Sequence, residues 1–189
     1  MALWEVTHSQ VMDLQERRRS MSIRLYGLDQ AWDALHDELD GIAALTRDAL
    51  GADGAGINLL VDDQQVTVGS TGETPPPVPR DASICSTVLR AYPSDDVIEI
   101  PDMSVDPAVA ANPFVDGSLA ALRFYAAAPL VGKHGLTLGT LCAWATQPIH
   151  LDPRQRALLR QLGRSVVNVL DERRRVLIPD VSGALRPAR

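Results

Sequence analysis

Cys85 and Cys142 are the side chains of this 189-residue sequence best suited to covalent chemistry. A thiolate is a nucleophile and a metal ligand, and its abundance follows the local pKa. Cys85 precedes or opens a short segment of helical character, where the dipole favours the thiolate. Cys142 falls inside an apolar run, where desolvation disfavours it. The pair reads first as two buried structural thiols, with a redox-sensing pair as the alternative. Other chemistry is thinly represented. His8 and His36 fall on helical stretches, His134 in a turn and His150 before the last helix, and no paired His or Cys spacing suggests a zinc site. No phosphate-cradling glycine loop, dinucleotide fingerprint or nucleophile elbow occurs. The acidic pairs at 62–63 and 95–96 fall in turns, where solvation accounts for them. Arg123 opens an otherwise apolar run. It either holds an acidic group or pairs with Asp102, Asp106 or Asp116 to order the preceding loop.

The elements that must position these groups are legible as a succession. Apolar runs at 123–130 and 139–144 flank a glycine-containing connection at 132–135 and predict an antiparallel hairpin. Neither run alternates cleanly, so both faces are expected to be covered, in the middle of a sheet. Upstream, residues 3–20 carry a loose stripe of Leu3, Val6, Val11 and Leu14, and Gly27 breaks the pattern. A helix over 29–50 presents Trp32, Leu35, Leu39, Ile42, Thr46 and Ala49 on one face, stopped by Gly51 and Gly54. Strands are expected at 55–61 and 65–69 around a turn at 62–64. The proline-rich stretch 72–79 cannot continue a ladder and is either a flap over a pocket or a plain connector. Asp81 or Ser83 caps a short helix through Arg90, and 97–100 is another strand. Residues 101–122 lack a regular pattern, and such stretches are often functional. A last helix starts at Pro153 behind Asp152, with Leu158, Leu162, Val166, Val169 and Leu170 as its stripe. Residues after Pro179 read as a flexible tail. The fold class is α+β, with a mainly antiparallel sheet of about five or six strands backed by the two long helices.

Charge is unevenly spread. Residues 29–117 hold seventeen acidic residues against three basic ones, and the rest holds seven against fifteen. A nucleic-acid reader concentrates positive charge on its main folded face, so nucleic acid is not an expected partner. No apolar run reaches the length of a membrane span, no secretory leader is visible, and two cysteines are too few for a disulfide scaffold; the cytoplasm is the expected compartment.

Six pieces in order carry a family resemblance. They are Ile-Cys-Ser-Thr-Val-Leu at 84–89, Ile-Pro-Asp at 100–102, Asp-Pro at 106–107, Asn-Pro-Phe-Val-Asp-Gly at 112–117, the run 123–130, and Gly-Thr-Leu-Cys at 139–142. Together they resemble the GAF domain, a ligand-binding sensory module of bacterial signalling proteins, over residues 29–176. The resemblance divides the chain into a helical extension (1–28), a GAF domain (29–176) and a flexible tail (177–189). It implies long terminal helices on one sheet face and a loop and short-helix layer on the other, with a pocket beneath that layer. Ser83, Cys85, Asp102, Asn112 and Arg123 are then the expected ligand-binding polar groups, with Phe114 and Tyr125 as walls.

The expected function is a non-catalytic, stand-alone sensor that binds a small ligand or a protein and signals through its terminal helices to a separate partner, as a homodimer. A ligand-free dimeric adaptor, its pocket plugged by Phe114, Leu119 and Tyr125, is the alternative, and a redox sensor or methionine sulfoxide reductase-like enzyme is the third reading. The reductases of this superfamily carry three clustered cysteines, which Cys85 and Cys142 do not match. Bilin-binding relatives place a cysteine beside a histidine, whereas Ser86 follows Cys85. Cyclic-nucleotide binders carry Asn-Lys, and Pro113 replaces that lysine. No haem or metal motif is present, and the cofactor stays unknown. Relatives also close the Gly-Thr-Leu-Cys strand with an aspartate; here Trp144 stands nearby instead, expected to pack on a helix of this or a neighbouring subunit.

Overall fold

The computed structural model describes residues 16–21, 23–24, 33–133 and 135–177. The expected stripe at Leu3, Val6, Val11 and Leu14, the break at Gly27, Trp32, His134 and the tail lie outside the described residues. Six strands form one antiparallel sheet: β1 (Gly54–Val61), β2 (Gln64–Ser70), β3 (Val78–Pro79), β4 (Ile98–Ile100), β5 (Phe124–Val131) and β6 (Thr137–Ala145), in the order β3-β2-β1-β6-β5-β4. The hairpin β5–β6 is central, as its two-sided apolar runs require. Helices α1 (Asp33–Leu50) and α3 (Pro153–Leu177) pack on one face, and the short helix α2 (Ile84–Ala91) lies against the other.

Local chemistry explains the boundaries. Gly51 takes φ +63°, and the amides of Gly51 and Ala52 bond to the carbonyls of Asp48 and Arg47, ending α1 in a left-handed cap that glycine adopts without strain. Asp152 Oδ1 accepts from the amides of Arg154 (2.7 Å) and Gln155 (2.8 Å), while Gln155 Oε1 accepts from the Asp152 amide, a reciprocal cap at the start of α3. The proline-rich stretch is a loop except at its end, where Val78 and Pro79 pair with Gln65 and Gln64 at the sheet edge, a position that tolerates proline.

The helix-side core is built from alternate strand residues: Ala55, Ile57 and Leu59 of β1, and Phe124, Ala126, Ala128 and Leu130 of β5. Bulges adjust this parity. In β2 the pairing passes from Gly69 to Thr67, leaving Val68 unpaired, and in β6 from Gly139 to Thr137, leaving Leu138 unpaired. Both extra residues turn into the helix-side core. On α1, Leu35, Leu39, Ala43, Thr46 and Leu50 are buried. On α3 the expected stripe is corrected at its start: Leu159 is fully buried while Leu158 stands 37% exposed.

The helical residues 16–21 and 23–24 dock on this chain's own body. Ile23 is buried in the helix-side core, Ser20 Oγ accepts from the Asp62 amide, and Arg80 pairs with Glu16. At the other edge, Arg160 holds Asp96 through two hydrogen bonds (2.7 and 2.9 Å), and Arg156 pairs with Glu99, tying β4 and its approach to α3.

Candidate functional site

On the face away from the long helices, β1, β2, β5 and β6 form the floor of a cavity of about 550 Å³. Its walls are α2 and the segments around Gly72–Pro75 and Phe114–Leu122. Strand parity decides what the floor presents. Gly54, Gly56 and Asn58 of β1, Tyr125 of β5, and Cys142 and Trp144 of β6 point here, opposite to the helix-side residues between them. Trp144 therefore faces the cavity, away from the two long helices. Its indole lies on the Gly54 backbone so closely that a Cβ there would sit 2.7 Å from the ring. The missing aspartate at the end of β6 is replaced from across the sheet. Asp53 accepts from the amide and the hydroxyl of Thr146, both at 2.7 Å, and these bonds, the amide first, hold its carboxyl below the usual carboxylate range.

The floor has a polar centre. Asn58 is buried; its Oδ1 accepts from Thr67 Oγ1 (2.7 Å) and Gln65 Nε2 (3.1 Å), which fixes the amide's orientation. Its Nδ2 then faces both thiols, at 3.3 Å from Cys142 Sγ and 3.5 Å from Cys85 Sγ. The two sulfurs are 3.8 Å apart and form no disulfide. The hydroxyls of Tyr125 and Thr140 are buried in the same cluster, and neither completes a hydrogen bond. The contact with Cys142 is the largest influence on the Cys85 thiol; despite burial, and with help from Thr140, Tyr125 and Asn58, it draws Cys85 down to about 7. The same contact and deep burial push Cys142 well up, and burial does the same to Tyr125.

Of the residues expected at a ligand site, four line the cavity and three do not. Cys85, Phe114 and Tyr125 line it, and so does Ser83, whose Oγ caps α2 by accepting from the Ser86 amide and donates to Gln65 Oε1 at 2.6 Å. Asp102 instead caps a short 3-10 turn over Met103–Val105 by accepting from Ser104. Asn112 ties its loop to the turn before α2, donating to the Ala82 carbonyl, and accepts from the Phe114 amide within its own loop. Arg123 bonds to two loop carbonyls, Leu122 O (2.9 Å) and Val115 O (3.2 Å), rather than to a carboxylate. It orders the loop, as one expectation had it, but through backbone. Asn58, Gln65, Thr67 and Trp144 line the cavity and were not anticipated as site residues. A lone asparagine in the apolar run Ala55 to Val61 was the available signal for the first.

Known proteins resemble this arrangement at two levels. A cyclic di-GMP phosphodiesterase of Pseudomonas aeruginosa is 34% identical over 112 residues, 59% of this chain, but the match spans only 18% of that protein. Among solved structures, the GAF domain of a phosphoenolpyruvate-protein phosphotransferase from Coxiella burnetii is 15% identical with a TM-score of 0.60, covering 95% of this chain and all of its own. Free methionine-R-sulfoxide reductase from Neisseria meningitidis, solved with its substrate, is 18% identical with a TM-score of 0.57, covering 94% and 100%. At such identities these two show a shared fold. Residues 34–170, well over half of the sequence, match the GAF domain family, a family of ligand-binding sensory and regulatory modules, and the chain belongs to it.

Proposed function

We propose that this chain is a non-catalytic sensory module whose cavity takes a small organic ligand without negative charge. The lining carries the reading. Among the described residues no Lys, Arg or His lines the cavity, Asp53 and Glu73 stand in its wall, and the buried Tyr125 hydroxyl has no hydrogen-bond partner. A buried hydroxyl left unpaired costs about 1–3 kcal/mol, which a polar ligand atom would offset. Phe114, Tyr125 and Trp144 offer flat faces suited to a heteroaromatic ring. Among the described residues the lining offers phosphates no cation, so the cyclic dinucleotide in the Pseudomonas relative's name is a poor candidate.

The floor strands also carry α1 and α3 on their other face, which supports transmission of ligand binding to those helices. Exposed Leu45 on α1 (61%) and Leu158 on α3 support a homodimer through the helices and contact with a separate signalling protein in the cytoplasm. No described helix is long and apolar enough to cross a membrane. The adaptor reading is weakened by Leu119, one of its three proposed plugs, which is 70% exposed.

Native mass spectrometry of the purified protein, followed by thermal melts against uncharged heteroaromatic metabolites and their phosphorylated nucleotides, tests the reading. A neutral compound at about 100 times its Kd is expected to add about 2.7 kcal/mol of stability, and Ala120→Trp in the cavity wall to abolish the shift. Stabilisation by the phosphorylated compounds alone would overturn the uncharged-ligand reading, and a clean apo mass with no shift from either class would favour the adaptor.

A further inference from the structure

We propose that Cys85 and Cys142 are a peroxide-reactive thiol pair in the cavity floor, with Cys85 taking the oxidation and Cys142 resolving it as an intramolecular disulfide. Two cysteines packed as small hydrophobes need no polar neighbours. These two have a directed one. The Asn58 amide is pinned from behind by Thr67 and Gln65, so that its Nδ2 donates toward both sulfurs. A donor aimed at sulfur is poorly matched to a neutral thiol and well matched to a thiolate. The hydroxyls of Tyr125 and Thr140 add two further donors able to turn toward the same charge. Of the two sulfurs, that of Cys85 belongs to the first turn of α2, whose N-terminus favours a thiolate, whereas Cys142 lies within β6. Both cysteines line the cavity, which gives a small uncharged oxidant a path that burial in a closed core would deny.

The chemistry closes without any further co-reactant. The Cys85 thiolate attacks one oxygen of a hydroperoxide; the O–O bond breaks, leaving a sulfenic acid and releasing the other oxygen as alcohol or water. The Cys142 sulfur, 3.8 Å away, attacks the sulfenic sulfur and expels hydroxide, which leaves as water with the thiol proton. Two thiols are oxidised by two electrons and the peroxide is reduced by two. Bond formation needs a contraction to about 2.05 Å between the sulfurs, drawing the first turn of α2 toward β6 and narrowing the cavity at Ser83 and Cys85. The pair stands on its own geometry and does not require a ligand in the cavity.

The test is intact-mass and peptide analysis of the folded, reduced protein after stoichiometric hydrogen peroxide. The expected result is a loss of about 2 Da, an 85–142 cross-linked peptide, and full reversal by dithiothreitol. Cys142→Ser is expected to leave a dimedone-trappable sulfenate on Cys85, with Cys142→Ala as a second version should the serine disturb folding. Cys85→Ser is expected to react at least about tenfold more slowly than the wild type. The proposal is overturned if the folded wild type keeps both thiols while a free cysteine peptide is consumed, if cross-links form only between chains, or if Cys142 is trapped first.

Discussion

The two faces of this sheet are made from the same strands by alternate residues, yet they hold opposite kinds of side chain. Toward the helices β5 sends Phe124, Ala126, Ala128 and Leu130, and β6 sends Leu141, Ala143 and Ala145. Toward the cavity the same strands send Tyr125, Thr140, Cys142 and Trp144, joined by Asn58 from β1. On the helix face α3 approaches β5 closely: a Cβ on Gly163 of α3 would lie 2.8 Å from the Ala128 Cβ. The cavity face keeps about 550 Å³ open and leaves two buried hydroxyls unpaired. The larger apolar cluster lies on the helix face and the smaller one on the other, which also retains polar groups that a minimal core would exclude.

Substitutions on each face test that division. Phe124→Ala on the helix face removes a fully buried ring and is expected to cost about 3–5 kcal/mol in urea unfolding; a cost under about 1 kcal/mol would mean that stability lies elsewhere. On the cavity face, alkylation of Cys85 by iodoacetamide should rise about tenfold per pH unit and level off above about 7, because the thiolate is the reacting form and its neighbours favour it. A midpoint near that of an ordinary cysteine would remove the electrostatic distinction between the faces. Ser83→Ala removes both the α2 cap and a bond to Gln65, with an expected loss of about 1 kcal/mol measured by thermal unfolding. A gain rather than a loss sharpens the comparison most. Tyr125→Phe deletes a buried hydroxyl that completes no hydrogen bond and should raise stability by about 1 kcal/mol while weakening any ligand that bonds to it. A loss above about 2 kcal/mol would reveal a structural partner for that group.

Features set by neighbours along the chain were readable in advance. The left-handed stop at Gly51, the caps at Ser83 and Asp152, and the β5–β6 hairpin each depend on short sequence separations. The rotational setting of α3 was less legible, because Leu158 and Leu159 are both apolar and packing against β5 selects the second. The polar loop residues Asp102, Asn112 and Arg123 were placed near the site by type, but backbone amides and carbonyls of their own loops claim them. Cys85 and Cys142 were weighed as isolated thiols; 57 positions apart in sequence, they meet only across α2 and β6.

By itself the sequence determined the succession of elements, the family and the two-sided apolar character of the central strands, since periodicity, caps and ordered motifs are short-range properties. Only the tertiary structure decided which parity of β1, β5 and β6 faces the cavity, how Val68 and Leu138 shift it, and that Asn58, Tyr125, Thr140 and both thiols share one buried cluster. The physical reason is that parity has no sign until helices commit to one face, and the apolar stripes of α1 and α3 can do so only after the strands between them have paired.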